Sequence, residues 1–191
     1  IESGMTVVEA LPGGGWYSKI LLPYLGEEGE LIGANYSIDM QRLFSFRTPE
    51  QLKKLETWTT DWPETAATWV EGNNTPISGF FFGAQPESMA GSADAVLFIR
   101  ALHNFARFQN EGNFLTTAIK DAYTALKPGG ILGVVQHQMR EESPDAWAEG
   151  NRGYLKQSFV VAQLEAVGFV FEGASDLSLI HISEPTRPVM I

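Results

Sequence analysis

The chain has 191 residues, which is the size of one domain, and it carries a formal net charge of −10. A negative chain repels polyanions, so long nucleic acid is a poor partner, and no apolar run is long enough to span a bilayer. With no cysteine, the chain can form neither disulfides nor thiolate metal sites, and the sequence shows no other metal constellation.

Short apolar runs alternate with helical patterns along the chain. Helices are predicted at 16–25, at 39–55 with a break at "TPEQ", at 114–126 and at 154–167, whereas 57–74 has no clean period and is predicted to be irregular. Such alternation predicts an α/β fold: a doubly wound, mostly parallel sheet with helices on both faces. The predicted strands are 6–11, 31–36, 77–84, 93–102, 131–137 and 169–174.

A glycine-rich loop follows the first predicted strand. The stretch reads "VVEALPGGGWYS", so three glycines separate a buried strand ending near Glu9 from a helix. In an open parallel sheet, ligands bind beyond the carboxyl ends of the strands, close to the first strand. Because glycine lets the backbone approach a ligand closely, this loop predicts a nucleotide-like ligand.

The spacing within this loop distinguishes between nucleotides. Gly13 and Gly15 fit the first two positions of the dinucleotide pattern G-x-G-x-x-G, but Ser18 occupies the third. A ligand with an ammonium group, a ribose and an adenine fits better, because Glu9 can balance the positive charge while the glycines flank the ligand.

Several motifs resemble one known family. "VVEALPGGGWYS" resembles motif I of the class I S-adenosylmethionine-dependent methyltransferases, in the form found in a bacterial group of predicted methyltransferases. "ADAVLFIRALHN", "ALKPGGILGVV" and "GYLKQSFVVAQLEAVGF" resemble that group's fourth strand, fifth strand and late helix. The resemblance covers 5–176 and implies a Rossmann-like methyltransferase domain over 1–176, truncated at both ends, with S-adenosyl-L-methionine as cofactor.

The resemblance also implies cofactor-binding residues. The second strand of the family usually ends in an acid that binds the ribose, but here Asn35 or Tyr36 stands in that place, with Asp39 just beyond. Leu11 stands where many members have a glycine. Trp16 and Tyr17 are interpreted as helix packing. The expected cofactor residues are Glu9, Gly13, Gly14, Gly15, Asn35, Asp39, Gly83, Ala84 and Arg100.

Histidines follow the fourth and fifth strands. His103 with Asn104, and His137, are the expected catalytic residues, since an imidazole can take a proton near neutral pH. A structural role for both histidines is the alternative. Arg100 and Arg140 either hold an anionic acceptor or pair with local acids. The three tryptophans of 57–74 are expected to be core or a lid over the acceptor.

The expected function is therefore transfer of a methyl group to a small-molecule acceptor. The alternatives are a non-catalytic S-adenosylmethionine-binding sensor or partner subunit and, more remotely, an NAD-dependent oxidoreductase. The sequence predicts no membrane partner, and it is silent on oligomeric state.

The last residues differ in character from the rest. "LSLIHISEPTR", 177–187, resembles a translated sequencing adapter, and the alternative is a natural amphipathic strand with a Pro-rich tail. We expect 177–191 to be an artefact on a metagenomic gene fragment. The chain starts at Ile1, so an export signal would have been lost upstream. A cytoplasmic location is the expectation.

Overall fold

A computed structural model describes residues 1–175 and, for the backbone alone, 187–190. Strands and helices alternate as predicted. The strands are β1 (Thr6–Ala10), β2 (Glu30–Asn35), β3 (Ile77–Phe81), β4 (Ala93–Ile99), β5 (Leu126–Met139), β6 (Tyr154–Lys156) and β7 (Arg187–Met190).

The strands form one sheet in the order β3-β2-β1-β4-β5-β6, with β7 also pairing with β5. The pairs β1/β2, β2/β3 and β5/β6 are parallel. The chain moves outward from β1 through β2 to β3 and then returns to β4 beside β1, so the strand order reverses there. This confirms the predicted doubly wound sheet and makes the carboxyl end of β1 the expected ligand position.

The helices occupy the connections between the strands. Thr48 caps the third helix by accepting a hydrogen bond from the Gln51 N–H, the Gln51 side chain bonds back, and Pro49 takes the first helical position. The helices are α1 (Ser18–Leu25), α2 (Ile38–Arg42), α3 (Pro49–Leu55), α4 (Trp58–Ala67), α5 (Leu102–Arg107), α6 (Gln109–Gly112), α7 (Phe114–Ala125) and α8 (Gln157–Glu165).

The chain divides into two compact units. The first comprises 1–97 and 124–131. Its core consists of apolar side chains from the strands, α1 and α4, and includes Val7, Leu22, Leu25, Leu31, Trp62 and Ala95.

The second unit comprises 98–123 and the described residues from 132 onward. Its fully buried side chains come from the end of β4 and from α5, α7 and β6. They include Phe98, Leu102, Phe105, Leu115, Ile119 and Leu155.

The prediction of irregular structure at 57–74 is wrong, because α4 occupies most of this segment. Pro63 and several polar residues obscured a stripe at helical spacing. Trp58 and Trp62 stack with ring centroids 5.3 Å apart, and the Trp62 ring covers Gly33 of β2. Trp62 is buried and Trp58 and Trp69 pack against the same core, so the tryptophans belong to the core of the first unit.

Two further predictions near the end of the described chain are wrong. The segment Tyr154–Lys156 is strand β6, and the helix begins only at Gln157. The predicted sixth strand, 169–174, forms no strand. After Gly168, at φ +120°, the Phe169 ring packs edge-on against Tyr123 of α7 at 5.1 Å, and Val170 is 78 % exposed. Of the apolar residues there, Phe169 packs against a helix instead of joining the sheet.

Most of the adapter-like stretch, 177–186, lies outside the described residues, and so does residue 191. Its interpretation therefore stays a prediction. The backbone of β7 runs antiparallel to β5, with Arg187 opposite Gln138 and Met190 opposite Val135.

Candidate functional site

The three glycines of the loop between β1 and α1 have different surroundings. Gly15 is buried at φ +82°, and a Cβ there would enter the ring of Trp69, so packing within the first unit requires this glycine. Gly13, at φ +52°, and Gly14 are exposed, and an added Cβ would meet nothing closer than 3.8 Å at Gly13 and nothing within 4 Å at Gly14. The open backbone at Gly13 and Gly14 is therefore the part of the loop that a ligand can approach.

Leu11 enters the loop in a conformation that normally favours glycine. Its φ is +59°, and its N–H donates to the Ala34 carbonyl at 2.7 Å. A left-handed conformation costs a non-glycine residue roughly 1–2 kcal/mol. The backbone thus retains the shape of a glycine position although the residue is leucine.

Glu9 lies buried at the end of β1. The Ser18 hydroxyl, at the first position of α1, donates to a Glu9 carboxyl oxygen at 2.6 Å. Burial raises the pKa of Glu9 to about 7, and the Ser18 hydrogen bond opposes that rise. Glu9 is 3 % exposed. The serine at the third glycine position of the dinucleotide pattern therefore contacts the Glu9 carboxyl group.

The residues expected at the ribose lie at the end of β2 and on α2. The Asn35 side-chain oxygen accepts hydrogen bonds from the Tyr36 N–H at 2.8 Å and the Gln41 amide at 3.3 Å. Asp39 is exposed and pairs with Arg42 at 2.7 Å. Local contacts therefore occupy the Asn35 side-chain oxygen and one carboxylate oxygen of Asp39.

Gly83 and Ala84 form an exposed turn after β3. Gly83 is at φ +88°, and the Ala84 N–H donates to the Phe81 carbonyl at 2.8 Å. Sequence reasoning missed the next residue, Gln85, whose amide nitrogen is buried and has no hydrogen-bond partner among the described residues. The sequence signal for Gln85 is its amide side chain directly after the glycine-containing turn.

The expected catalytic residues lie in the second unit, where the side chain of the buried Gln136 of β5 contacts His103 and the backbone carbonyl of His137. The Gln136 side-chain oxygen is 3.3 Å from the His103 backbone nitrogen and 3.4 Å from His103 Nδ1. His103 and Asn104 are in the first turn of α5, and both are half-buried. His137, which was predicted to follow the fifth strand, lies within β5 next to Gln136, and its ring lies 5.8 Å from that of Tyr154.

Burial and nearby positive charge lower the pKa values of both histidines. Burial lowers the pKa of His103, and nearby His137 and Arg100 lower it further, while the Gln136 hydrogen bond raises it. Burial and then Arg100 lower the pKa of His137. Both imidazoles are therefore neutral near pH 7. Ion pairs within the described residues join other groups, and neither Arg100 nor Arg140 takes part in one.

Arg100 ends β4 in a second unusual conformation. Its φ is +53°, its N–H donates to the Val135 carbonyl at 2.6 Å, and its side chain is exposed. Non-glycine residues held at positive φ persist where the surrounding structure over-determines them, and they cluster at functional sites. The two such residues that end strands, Leu11 and Arg100, follow β1 and β4.

Sequence reasoning did not find Gln136, Ser18 or Gly150. Gly150 is buried at φ +90°, and a Cβ there would collide with the His103 carbonyl. A lone glutamine and a glycine in a polar loop carry no recognisable signal. Ser18 was seen only as a departure from a glycine pattern.

Exposure corrects one smaller interpretation. Tyr17 packs against the core cluster, as expected, but Trp16 is 77 % exposed and is not a packing residue.

No helix in the described part of the chain is long and apolar enough to cross a membrane. Nor do the described residues contain a group of three or more acidic or histidine side chains placed to hold a metal ion.

No protein-family model and no curated protein matches the chain, but solved structures resemble it. An arsenic(III) S-adenosylmethionine methyltransferase from Chlamydomonas reinhardtii matches 98 % of the chain at 17 % identity and TM-score 0.55. The [4+2]-cyclase SpnF matches 94 % at 19 % identity and TM-score 0.60. A SAM-dependent methyltransferase from Aquifex aeolicus matches 99 % at 15 % identity and TM-score 0.59.

The matched share of these structures differs. The chain spans 62 % of the algal enzyme, 56 % of the cyclase and 82 % of the Aquifex protein. At such low identity the likeness concerns the fold. With its strand order and its β1–α1 glycine loop, the chain has the Rossmann-like fold of class I S-adenosylmethionine-dependent methyltransferases.

Proposed function

We propose that this chain binds S-adenosyl-L-methionine and transfers its methyl group to a small-molecule acceptor. The observation that carries the proposal is the β1–α1 loop: a buried carboxyl group at Glu9, held by Ser18, followed by open backbone at Gly13 and Gly14. A Cβ would fill the space that a bound cofactor needs there. The fold supports the same reading, since methyltransferases are among its structural neighbours.

The chain's own residues have separate tasks in this proposal. S-adenosylmethionine supplies a methyl group already activated on a sulfonium. Glu9 would balance the positive charge of the ligand, and the backbone of Gly13 and Gly14 would lie against it. Asn35, with Asp39 beyond it, would contact the ribose in place of the usual acid. Gly83, Ala84 and the adjacent Gln85 would flank the adenine.

On the acceptor side, His103 would take the acceptor's proton. Because its pKa is lowered, the His103 imidazole is neutral at pH 7 and able to act as a base. Asn104 and His137 would orient the acceptor. Arg100, exposed and without an ion-pair partner among the described residues, favours an acceptor that carries negative charge.

Cofactor binding is tested by calorimetry with the Gly13→Ala variant. We expect the unmodified chain to bind S-adenosylmethionine or S-adenosylhomocysteine, and NAD far more weakly. Gly13→Ala should weaken cofactor binding at least about tenfold, since a methyl group would stand where backbone and ligand meet. Valine is less suitable, because a β-branched residue at φ +52° strains the fold itself.

The matched control is Gly91→Ala. Gly91 has a similar φ of +63° and equally open surroundings, so alanine there carries the same backbone strain away from the loop. Equal cofactor affinity in the two variants would remove the glycine loop from the proposed site. Tighter binding of NAD than of S-adenosylmethionine by the unmodified chain would favour the oxidoreductase alternative.

Turnover is tested with His103→Ala on a panel of small anionic and neutral acceptors. Loss of a positioned base should lower kcat by roughly a hundredfold and leave cofactor affinity nearly unchanged. His137→Ala should cause a smaller loss. A chain that binds the cofactor but turns over no acceptor would support the sensor or partner-subunit alternative. A His103→Ala variant with unchanged kcat would assign that histidine a structural role.

A further inference from the structure

The side-chain amide of Gln136 has one possible orientation. Its nitrogen lies 2.7 Å from the Gly153 carbonyl oxygen and 3.4 Å from the His137 carbonyl oxygen, and both can only accept. Its oxygen lies 3.3 Å from the His103 backbone N–H, which can only donate. Exchanging oxygen and nitrogen would place like against like at all three contacts. Gln136 is 3 % exposed, so water does not offer substitutes.

This orientation determines what the His103 ring can do. The Gln136 oxygen also lies 3.4 Å from His103 Nδ1, and an amide oxygen has no proton to give. Nδ1 must therefore carry the hydrogen in this contact. In a neutral imidazole the lone pair is then on Nε2.

We propose that Gln136 is a positioning residue that holds His103 as the Nδ1–H tautomer and presents Nε2 as the proton acceptor. The tautomer stands on the hydrogen bonds alone, whereas the use of Nε2 as a base rests on the proposed methyl transfer. The loop between β5 and β6 completes the support: Gly153 anchors the Gln136 amide, and Gly150 lies against the His103 carbonyl.

An amide suits this task differently from a carboxylate. A carboxylate at Nδ1 would stabilise the imidazolium and raise the histidine pKa, whereas a neutral amide orients the ring with little added charge. The charged and titratable groups that face His103 are His137 and Arg100, and both oppose protonation. The arrangement therefore keeps a neutral base with a defined proton acceptor atom.

The tautomer can be measured directly by ¹⁵N–¹H NMR on the 191-residue chain labelled at histidine, with the His103 signals assigned by their loss in His103→Ala. We expect the unmodified chain to carry the His103 proton on Nδ1 at pH 7.5. A proton on Nε2 would overturn the proposal. This measurement requires neither cofactor nor turnover, so it distinguishes failure of this inference from failure of the proposed function.

Two methionine variants test the assignment to Gln136. Gln136→Met keeps the side-chain length but removes the acceptor, and should give a mixture of both tautomers. Gln138→Met is the matched control: Gln138 lies two residues along the same strand, and its amide nitrogen bonds Gln157 at 3.3 Å. It should leave the His103 tautomer unchanged. A pure Nδ1–H signal in Gln136→Met, or equal mixtures in both variants, would contradict the proposal.

Kinetics provide a second readout. In Gln136→Met we expect kcat to fall at least about tenfold with cofactor affinity and acceptor KM nearly unchanged, because a misplaced proton disables the base without removing a binding contact. Gln138→Met should retain its kcat. A loss confined to KM in Gln136→Met would indicate a binding role and contradict the positioning role.

Discussion

Replacing Glu9 by glutamine is expected to raise the free energy of unfolding at pH 8 by about 3 kcal/mol. The pKa of Glu9 is raised from 4.5 to about 7 because the carboxyl group is buried. Above pH 7 the folded chain must hold a buried carboxylate, whereas glutamine has the same shape and no charge. Chemical denaturation of both proteins at pH 5 and pH 8 measures the effect.

The sign follows from where each state binds the proton. The folded chain keeps the Glu9 proton up to about pH 7, whereas the unfolded chain releases it near 4.5. This contribution to stability is therefore fully present below pH 4.5 and is lost as the pH rises through 7. His103 and His137 have lowered pKa values and act in the opposite direction, but they are present in both proteins and cancel in the difference.

Ser18→Ala is the control, because it removes the hydroxyl that stabilises the carboxylate and should raise the Glu9 pKa further. An equal change in stability between pH 5 and pH 8 for the unmodified chain and Glu9→Gln would contradict the prediction. Under the proposed function, the cofactor's positive charge favours the carboxylate, so binding at pH 6 should release a proton. Calorimetry in buffers of different ionisation enthalpy would detect that release, and Glu9→Gln should lack it.

Replacing Gly150 by alanine is expected to lower the free energy of unfolding by about 2–4 kcal/mol. The residue is at φ +90°, and its Cβ would collide with the His103 carbonyl and lie 3.0 Å from the Arg107 nitrogen. These are backbone atoms of α5 that cannot rotate away. Denaturant unfolding followed by fluorescence, with kcat measured in parallel, should show lower stability and reduced turnover.

Gly153→Ala is the control that separates the effect of the Cβ collision from the cost of a left-handed backbone conformation. Gly153 lies in the same loop at φ +84°, but an added Cβ there meets nothing within 4 Å, and its carbonyl still accepts from Gln136. It should lose only roughly 1–2 kcal/mol, the cost of a left-handed alanine. Equal losses in both variants would show that the contact between Gly150 and His103 does not restrict the start of α5.

The sequence by itself determined the doubly wound sheet and the place of its glycine loop. Strand and helix periods are local, so the strands β1 to β4 and the helix α7 were predictable from spacing alone. Prediction failed where local pattern and tertiary contact disagree. Trp58 and Trp62 belong to a helix that polar residues and Pro63 obscure, and after Gly168 the Phe169 ring packs on Tyr123 instead of starting a strand.

The candidate site shows the same division. Glu9, Gly13 and the two histidines were predicted from their positions near the ends of the expected strands, because ligands bind beyond the carboxyl ends of parallel strands. Only the tertiary structure decided what each group contacts. It buried Glu9 against Ser18, opened the backbone at Gly13 but filled it at Gly15, and brought Gln136 to His103 across 33 residues of sequence. Such contacts depend on distances between segments far apart in the chain, which no local pattern of residue types records.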